Sequence, residues 1–247
     1  MVYTAKYFKE QLPEWKKKKD PILSQIFYRP LSFYVSSIAT KFGISANAIS
    51  YFSALLGIIA CVTFLFDNGM LRIIGAILIH IWLILDCADG NIARHVKKQP
   101  FGEFADGISS YILVGLLCTA MGVSVYHTGG ILFESGNYWI ILLGALASSS
   151  DSLMRLIYQK FRHTEQELQS KGMIKGSVDE RHDVNQVSSF KVRVETELGI
   201  GGILPTIILC ATLFNFLDLV VLYCFLYYGL ACMVSSLLLV RKAMTTT

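Results

Sequence analysis

Long apolar runs constrain this chain more than any other feature. Six stretches, about Ala48–Phe66, Met70–Cys87, Phe104–Tyr126, Tyr138–Tyr158, Gly199–Leu217 and Leu219–Val240, approach or reach the roughly 20 residues that cross a bilayer as a helix. Hydrophobic residues make up 53% of the 247 positions, which argues against a soluble domain. The pattern predicts an all-α integral membrane protein with six transmembrane helices. The connections between the first and second runs, and between the fifth and sixth, are very short, so each pair is expected to form a tight antiparallel hairpin.

The charge distribution sets the expected orientation. With the N-terminus in the cytoplasm, only Arg72 of the 22 Lys and Arg residues falls on the opposite side. Both termini, the 88–103 connection and the long polar 159–198 connection are then cytoplasmic. A formal charge of +4 gives no signal for nucleic acid. The six cysteines lie in or beside apolar runs without CxxC or Cys/His zinc spacing, and read as reduced, buried side chains. The polar, basic N-terminus does not read as a cleavable signal peptide.

Residues 1–45 form a separate cytoplasmic and interfacial segment ahead of a membrane domain at 46–242. Lys16, Lys17, Lys18 and Lys19 are followed by Ile22, Ile26 and Phe27, then Phe33, Tyr34 and Ile38. That spacing predicts an N-terminal interfacial amphipathic helix, or two, on the inner leaflet. The lysines then meet anionic headgroups, at about 1 kcal/mol each.

The chemistry concentrates between Asp86 and Ser110, DCADGNIARHVKKQPFGEFADGISS. Asp86 and Asp89 are one helical turn apart, so both carboxylates share a face. Asp106 opens the next apolar run after a short basic turn, and all three acids can converge. Like charges at a membrane boundary repel, and desolvation penalises each. Something positive must sit among them. A hard divalent cation such as Mg²⁺, Mn²⁺ or Ca²⁺ suits oxygen ligands better than zinc does; Arg94, Lys97 and Lys98 are the alternative partners. Small residues at Gly90, Ala93 and Gly102 permit either close approach of a phosphorylated ligand or tight helix packing.

This stretch resembles the signature of the CDP-alcohol phosphotransferase family, D-x2-D-G-x2-A-R-x8-G-x3-D-x3-D, at Asp86, Asp89, Gly90, Ala93, Arg94, Gly102 and Asp106. Upstream, SANAIS resembles the family's P-N-x-x-T element at Asn47, with Ser50 in place of threonine and Ala46 in place of proline. The six-span topology agrees as well. The resemblance implies transfer of a phospho-alcohol group from a CDP-linked donor, CDP-diacylglycerol or another CDP-alcohol, to an acceptor hydroxyl with release of CMP. It implies Asp86, Asp89 and Asp106 as ligands of Mg²⁺ or Mn²⁺, and Asn47, Gly90, Ala93, Arg94 and Gly102 as substrate-binding positions. It further implies a homodimer. The expected location is a prokaryotic inner or plasma membrane.

Two departures stand out. The gap from Arg94 to Gly102 holds seven residues where the family has eight, and the fourth aspartate, the family's general base, is Ser110. Glu103 lies about two turns before Ser110 and does not replace it. Arg155 follows the polar run SSSDS at 148–152; it is either a grip on an acceptor phosphate or carboxylate, or a snorkelling residue paired with Asp151. His80, mid-span, reads as a packing residue. Two other classes compete with the enzyme: an impaired relative that binds CDP-lipid or metal as a sensor or scaffold, and a small transporter. The transporter is disfavoured, because two halves with Gly/Pro-broken helices are lacking.

Overall fold

The computed structural model describes residues 3–174 and 197–246. These residues are helical, with no strand among them. The N-terminal segment holds α1 (Ala5–Glu10), α2 (Glu14–Lys19), a one-turn π-helix (Ser24–Tyr28) and α3 (Arg29–Lys41). Then come α4 (Ala46–Phe64), α5 (Gly69–His95), α6 (Gly102–Thr128), α7 (Trp139–Ser170), α8 (Leu204–Phe214) and α9 (Leu217–Thr246).

Five of these, α4, α5, α6, α7 and α9, are long and apolar enough to cross a membrane. The expected fifth span is shorter than its apolar run. Gly199, Gly201 and Gly202 lie in turns, Pro205 stands in the first helical turn, and α8 is left with 11 residues, about 16 Å. Of the 159–198 connection, residues 159–170 prolong α7, and residues 175–196 lie outside the described residues.

The chain divides into two compact units. The first takes the residues up to Leu113 together with the segment ending at Phe214. Ser45 caps α4, its Oγ accepting from the Ala48 N–H at 3.2 Å. Asn68 caps α5 by accepting from the N–H groups of Met70 and Leu71 at 3.0 and 3.2 Å. The turn between α4 and α5 is short, as expected, and the helices touch through Gly75. A Cβ there would lie 2.9 Å from the Ala60 carbonyl and 2.2 Å from Thr63 Oγ1. Helix α4 is inside out by the standards of a soluble protein. It exposes Tyr51, Phe52, Leu55, Ile59 and Val62 and buries Ser50, Ser53, Ala54 and Gly57. That is the pattern of a helix whose outer face meets hydrocarbon.

Helix α3 repeats the inversion. Leu31, Tyr34 and Ile38 are exposed, while Ser32 and Ser36 are buried. Phe33, expected on the outward stripe, instead turns inward onto a cluster with Phe8, Ala39, Ala46, Ile49 and Ile92. His80 has a partner that the sequence did not reveal. Its Nδ1 lies 3.1 Å from the Tyr28 hydroxyl, at the end of the π-helix.

The second unit runs from Val114 and includes the segment after Asn215. Its part of α6 packs backbone to backbone on α7: a Cβ on Gly144 would lie 2.3 Å from the Cys118 carbonyl oxygen, and one on Gly122 2.7 Å from that of Ile140. The loop after α6 is pinned by buried Asp218, whose Oδ2 accepts from the N–H groups of Leu132 and Phe133 at 2.6 and 3.2 Å. Towards the ends of α7 and α9, Glu165 accepts from Arg162 at 2.8 Å and from Lys242 at 2.9 Å.

Candidate active site

Helix α5 carries Asp86, Asp89, Gly90, Asn91, Ala93 and Arg94 without a break, because it continues to His95, two turns past the expected end of its span. The six-residue turn 96–101 follows, and Asp106 stands one turn into α6. All belong to the first unit. The turn closes with Phe101 at φ 59°, a costly left-handed conformation for an aromatic residue. Asn47 stitches α4 to this turn. Its Nδ2 donates to the Pro100 carbonyl at 2.9 Å and its backbone N–H to Gln99 Oε1 at 3.3 Å. Asn47 Oδ1 is buried without a partner, and a Cβ on Gly102 would lie 3.6 Å from it. A buried acceptor left open next to a glycine is what a ligand N–H donor needs.

The acids form a gradient from buried to open. Asp89 is buried, and its Oδ2 accepts from Ser50 Oγ at 2.6 Å. Asp86 is half-buried and Asp106 is exposed. The Asp86 and Asp106 carboxyls come within hydrogen-bonding reach of each other. Two carboxyls in that relation need a proton or a cation between them. Among the described residues no three His, Cys, Asp or Glu side chains stand as a ready-made metal cage. The donor chemistry, three clustered carboxylates with two in contact, nevertheless fits a hard divalent ion.

Arg94 folds back along its own helix. Its Nη2 donates to Asn91 Oδ1 at 3.3 Å, and its guanidinium lies where a Gly90 Cβ would come within 3.0 Å. Gly90 thus makes room for the arginine. Ala93 packs against the Phe8 and Phe33 cluster. Ser110 is one turn beyond Asp106 on α6, half-buried, with its Oγ donating to the Gly107 carbonyl at 3.1 Å. Its neighbour Ser109 is the buried one, in contact with Ser53 Oγ at 2.7 Å and accepting from Trp82 Nε1 at 2.9 Å. Arg155 belongs to the second unit, where its Nε pairs with Oδ2 of buried Asp151 at 2.5 Å, the i,i+4 pair expected of a snorkelling residue.

A second layer of polar residues escaped the sequence reading. Arg29 is buried and donates through Nε to Asp20 Oδ2 at 2.6 Å and through Nη1 to the Cys87 carbonyl and Asn91 Oδ1, both at 3.3 Å. Asn91 donates in turn to Ser32 and Ser36 at 3.1 and 3.3 Å. Burial alone would raise the Asp20 carboxyl, but the Arg29 hydrogen bond and the Lys16 and Arg29 charges outweigh it and hold it below its ordinary value. Lys16, expected at lipid headgroups with the other three lysines, is half-buried and pairs with Asp20 at 3.2 Å. Lys17, Lys18 and Lys19 remain exposed. The available signals were an Asp just after a lysine run and an Arg-Pro in an apolar segment; neither spacing joins them to the motif.

Among curated proteins, none matches the chain. The family model for CDP-alcohol phosphatidyltransferases matches residues 43–177. That match spans more than half of the chain and takes in the three acids, Arg94 and the turn between α5 and α6. Members of that family move phospho-alcohol groups from CDP-alcohol donors to alcohol acceptors in lipid biosynthesis. By that match the chain belongs to the CDP-alcohol phosphatidyltransferase family.

Proposed function

We propose that the protein transfers a phosphatidyl or related phospho-alcohol group from a CDP-linked donor to an acceptor hydroxyl, with release of CMP. The observation that supports this reading most is the Asp86 and Asp106 carboxyl pair, with Asp89 one turn along α5 from Asp86 and Arg94 folded over Gly90. Asp86, Asp89 and Asp106 would hold Mg²⁺ or Mn²⁺. Such an ion, when bound, supplies positive charge to the donor pyrophosphate and its leaving group.

The chain's own residues do the rest. Ser50 fixes the Asp89 carboxylate, Asn47 holds the turn closed, and Asn91 keeps Arg94 bent towards the acids, where its guanidinium is available to a phosphate. The acceptor oxygen attacks the donor phosphorus, the bond to the CMP oxygen breaks, and CMP leaves with the electron pair. Ser110 is a poor proton acceptor. A loose transition state needs little early proton removal, and an acceptor carrying its own phosphate can take the proton.

We also infer a homodimer and six membrane crossings, α8 completing the sixth. Both termini are then cytoplasmic, and the exposed stripe of α3 lies at the interface, in a prokaryotic inner or plasma membrane. A second reading, a CDP-lipid or metal sensor without turnover, is favoured by Ser110 alone, since its hydroxyl is bonded into its own helix.

The test is CMP release by purified protein in nanodiscs, with CDP-diacylglycerol and a panel of acceptor alcohols. Turnover that EDTA abolishes, Mg²⁺ or Mn²⁺ restores and Asp89→Asn removes supports the enzyme. CDP binding without CMP release supports the sensor. Full turnover in metal-free buffer overturns the metal assignment.

A further inference from the structure

The groups that the proposed reaction uses lie on α4, α5 and α6. One cation at the acids comes from ahead of every apolar helix. Lys16, on α2, has a side chain 23% exposed and binds Asp20 Oδ1 at 3.2 Å. Asp20 is clasped by Arg29 at 2.6 Å, and Arg29 reaches the carbonyl of Cys87, the residue directly after Asp86. Two buried links therefore tie Lys16 to the turn of α5 that carries the acids. At that position its charge acts on Asp86 and on Asp106, the two carboxyls in mutual contact.

The arrangement leaves Lys16 with capacity to spare. An ammonium has three donor hydrogens, and among the described residues Asp20 is its only ion-pair partner. Lys17 pairs outward with Glu14 at 2.6 Å, and Lys18 and Lys19 are exposed. Lys16 is the lysine of the four that is half-buried and paired with Asp20. A donor pyrophosphate brings further negative charge to a place that already holds three carboxylates. It binds there only if cations meet it, and a compact ammonium on a flexible stem suits a phosphate oxygen as a point charge.

We propose that Lys16 is a further substrate-binding residue, its ammonium contacting the phosphates of the CDP-linked donor beside Asp86 and Asp106, with the Asp20–Arg29 pair as its positioning device. This rests on the family reading of the site. It makes the segment ahead of α4 part of the donor site as well as a membrane-surface element.

The test compares wild type, Lys16→Gln, Lys16→Arg and Lys18→Gln as full-length protein in nanodiscs. CDP binding in Mg²⁺ buffer is measured by titration calorimetry, and KM and kcat with CDP-diacylglycerol. Losing one charged hydrogen bond to phosphate should weaken CDP binding and raise the donor KM about ten- to hundredfold. The acceptor KM should stay put and kcat should change little. Lys16→Arg should recover most of the affinity, and Lys18→Gln should match wild type. Asp20→Asn, which keeps Lys16 but frees it, should also raise the donor KM. A Lys16→Gln protein that binds CDP like wild type, loses kcat alone, or is not rescued by arginine overturns the proposal. Wild type that neither binds CDP nor releases CMP overturns the reading of the whole site, a result distinct from a silent Lys16.

Discussion

Asp20→Asn strands a guanidinium inside the protein, and the size of the effect follows from the geometry. The Asp20 and Arg29 side chains are each 6% exposed, so water cannot take over the lost partner. Removing one half of a buried pair costs about 3–5 kcal/mol. Arg29 keeps its bonds to the Cys87 carbonyl and to Asn91, which sets the expected loss near the lower figure. About 3 kcal/mol is roughly a hundredfold in the equilibrium that docks the N-terminal segment. Protease accessibility of residues ahead of α4, in nanodiscs, reads that equilibrium directly. Arg29→Met strands Asp20 and Lys16 in the same way. The double variant removes both charges and should be milder than the sum of the two singles by about 2 kcal/mol. Strictly additive effects, or a single variant as protected as wild type, would refute the buried-pair account. Acid gives an independent check. The Asp20 carboxyl is held below its ordinary value, so the stabilisation is complete above the ordinary carboxylate pKa of about 4 and is lost as pH falls through the lower folded value. Protection of the segment should fall below about pH 4 in wild type, and Asp20→Asn should lack that transition.

Three further outcomes are expected. Ser110→Asp should lower CMP release or leave it at background, since the new charge sits one turn from Asp106 and the hydroxyl it replaces is bonded into its own helix; a gain of 10²-fold or more, the scale of a restored general base, would contradict this. Gly75→Ala should destabilise by about 1–3 kcal/mol in thermal unfolding, because its Cβ would lie 2.9 Å from the Ala60 backbone oxygen, and an unchanged midpoint would show that α4 and α5 can move apart. Cysteines at Lys98 and Glu134 should label from opposite sides of the membrane; Glu134 is the suitable probe because a side chain at Gly130 would collide with Asp218, and labelling of both from one side would refute the topology.

What the sequence made legible was whatever obeys a short-range rule. Apolar run length located α4, α5, α6, α7 and α9 to within a few residues at most ends. The acids were found because Asp86, Asp89 and Asp106 keep fixed spacings on consecutive helices. Helix ends were harder where polar residues continue a helix past the membrane, as from Cys87 to His95 and from Tyr158 to Ser170. The span at 199–217 was overestimated because hydropathy does not weigh the glycines that keep 199–202 out of the helix. The Lys16–Asp20–Arg29–Asn91 chain was invisible for another reason. It joins residues up to 75 positions apart, and no local pattern marks a buried Arg whose partner is on another element. Gly90 was read as a place where a phosphorylated ligand or a packed helix comes close; what approaches in the structure is the side chain of Arg94.

The length of α5 fixes where this chemistry takes place. From Gly69 to Asp86 is about 26 Å of helix at 1.5 Å per residue, close to the roughly 30 Å of a hydrocarbon core. A helix that begins at one edge of the hydrocarbon core therefore brings its carboxylates close to the opposite edge of that core, just short of the headgroups there. A substrate anchored by acyl chains can meet them by sliding sideways, without being lifted into water. For such a substrate the governing concentration is molecules per unit area of membrane. Diluting the bilayer with inert lipid or detergent should slow turnover even when the bulk concentrations of protein and substrate are unchanged.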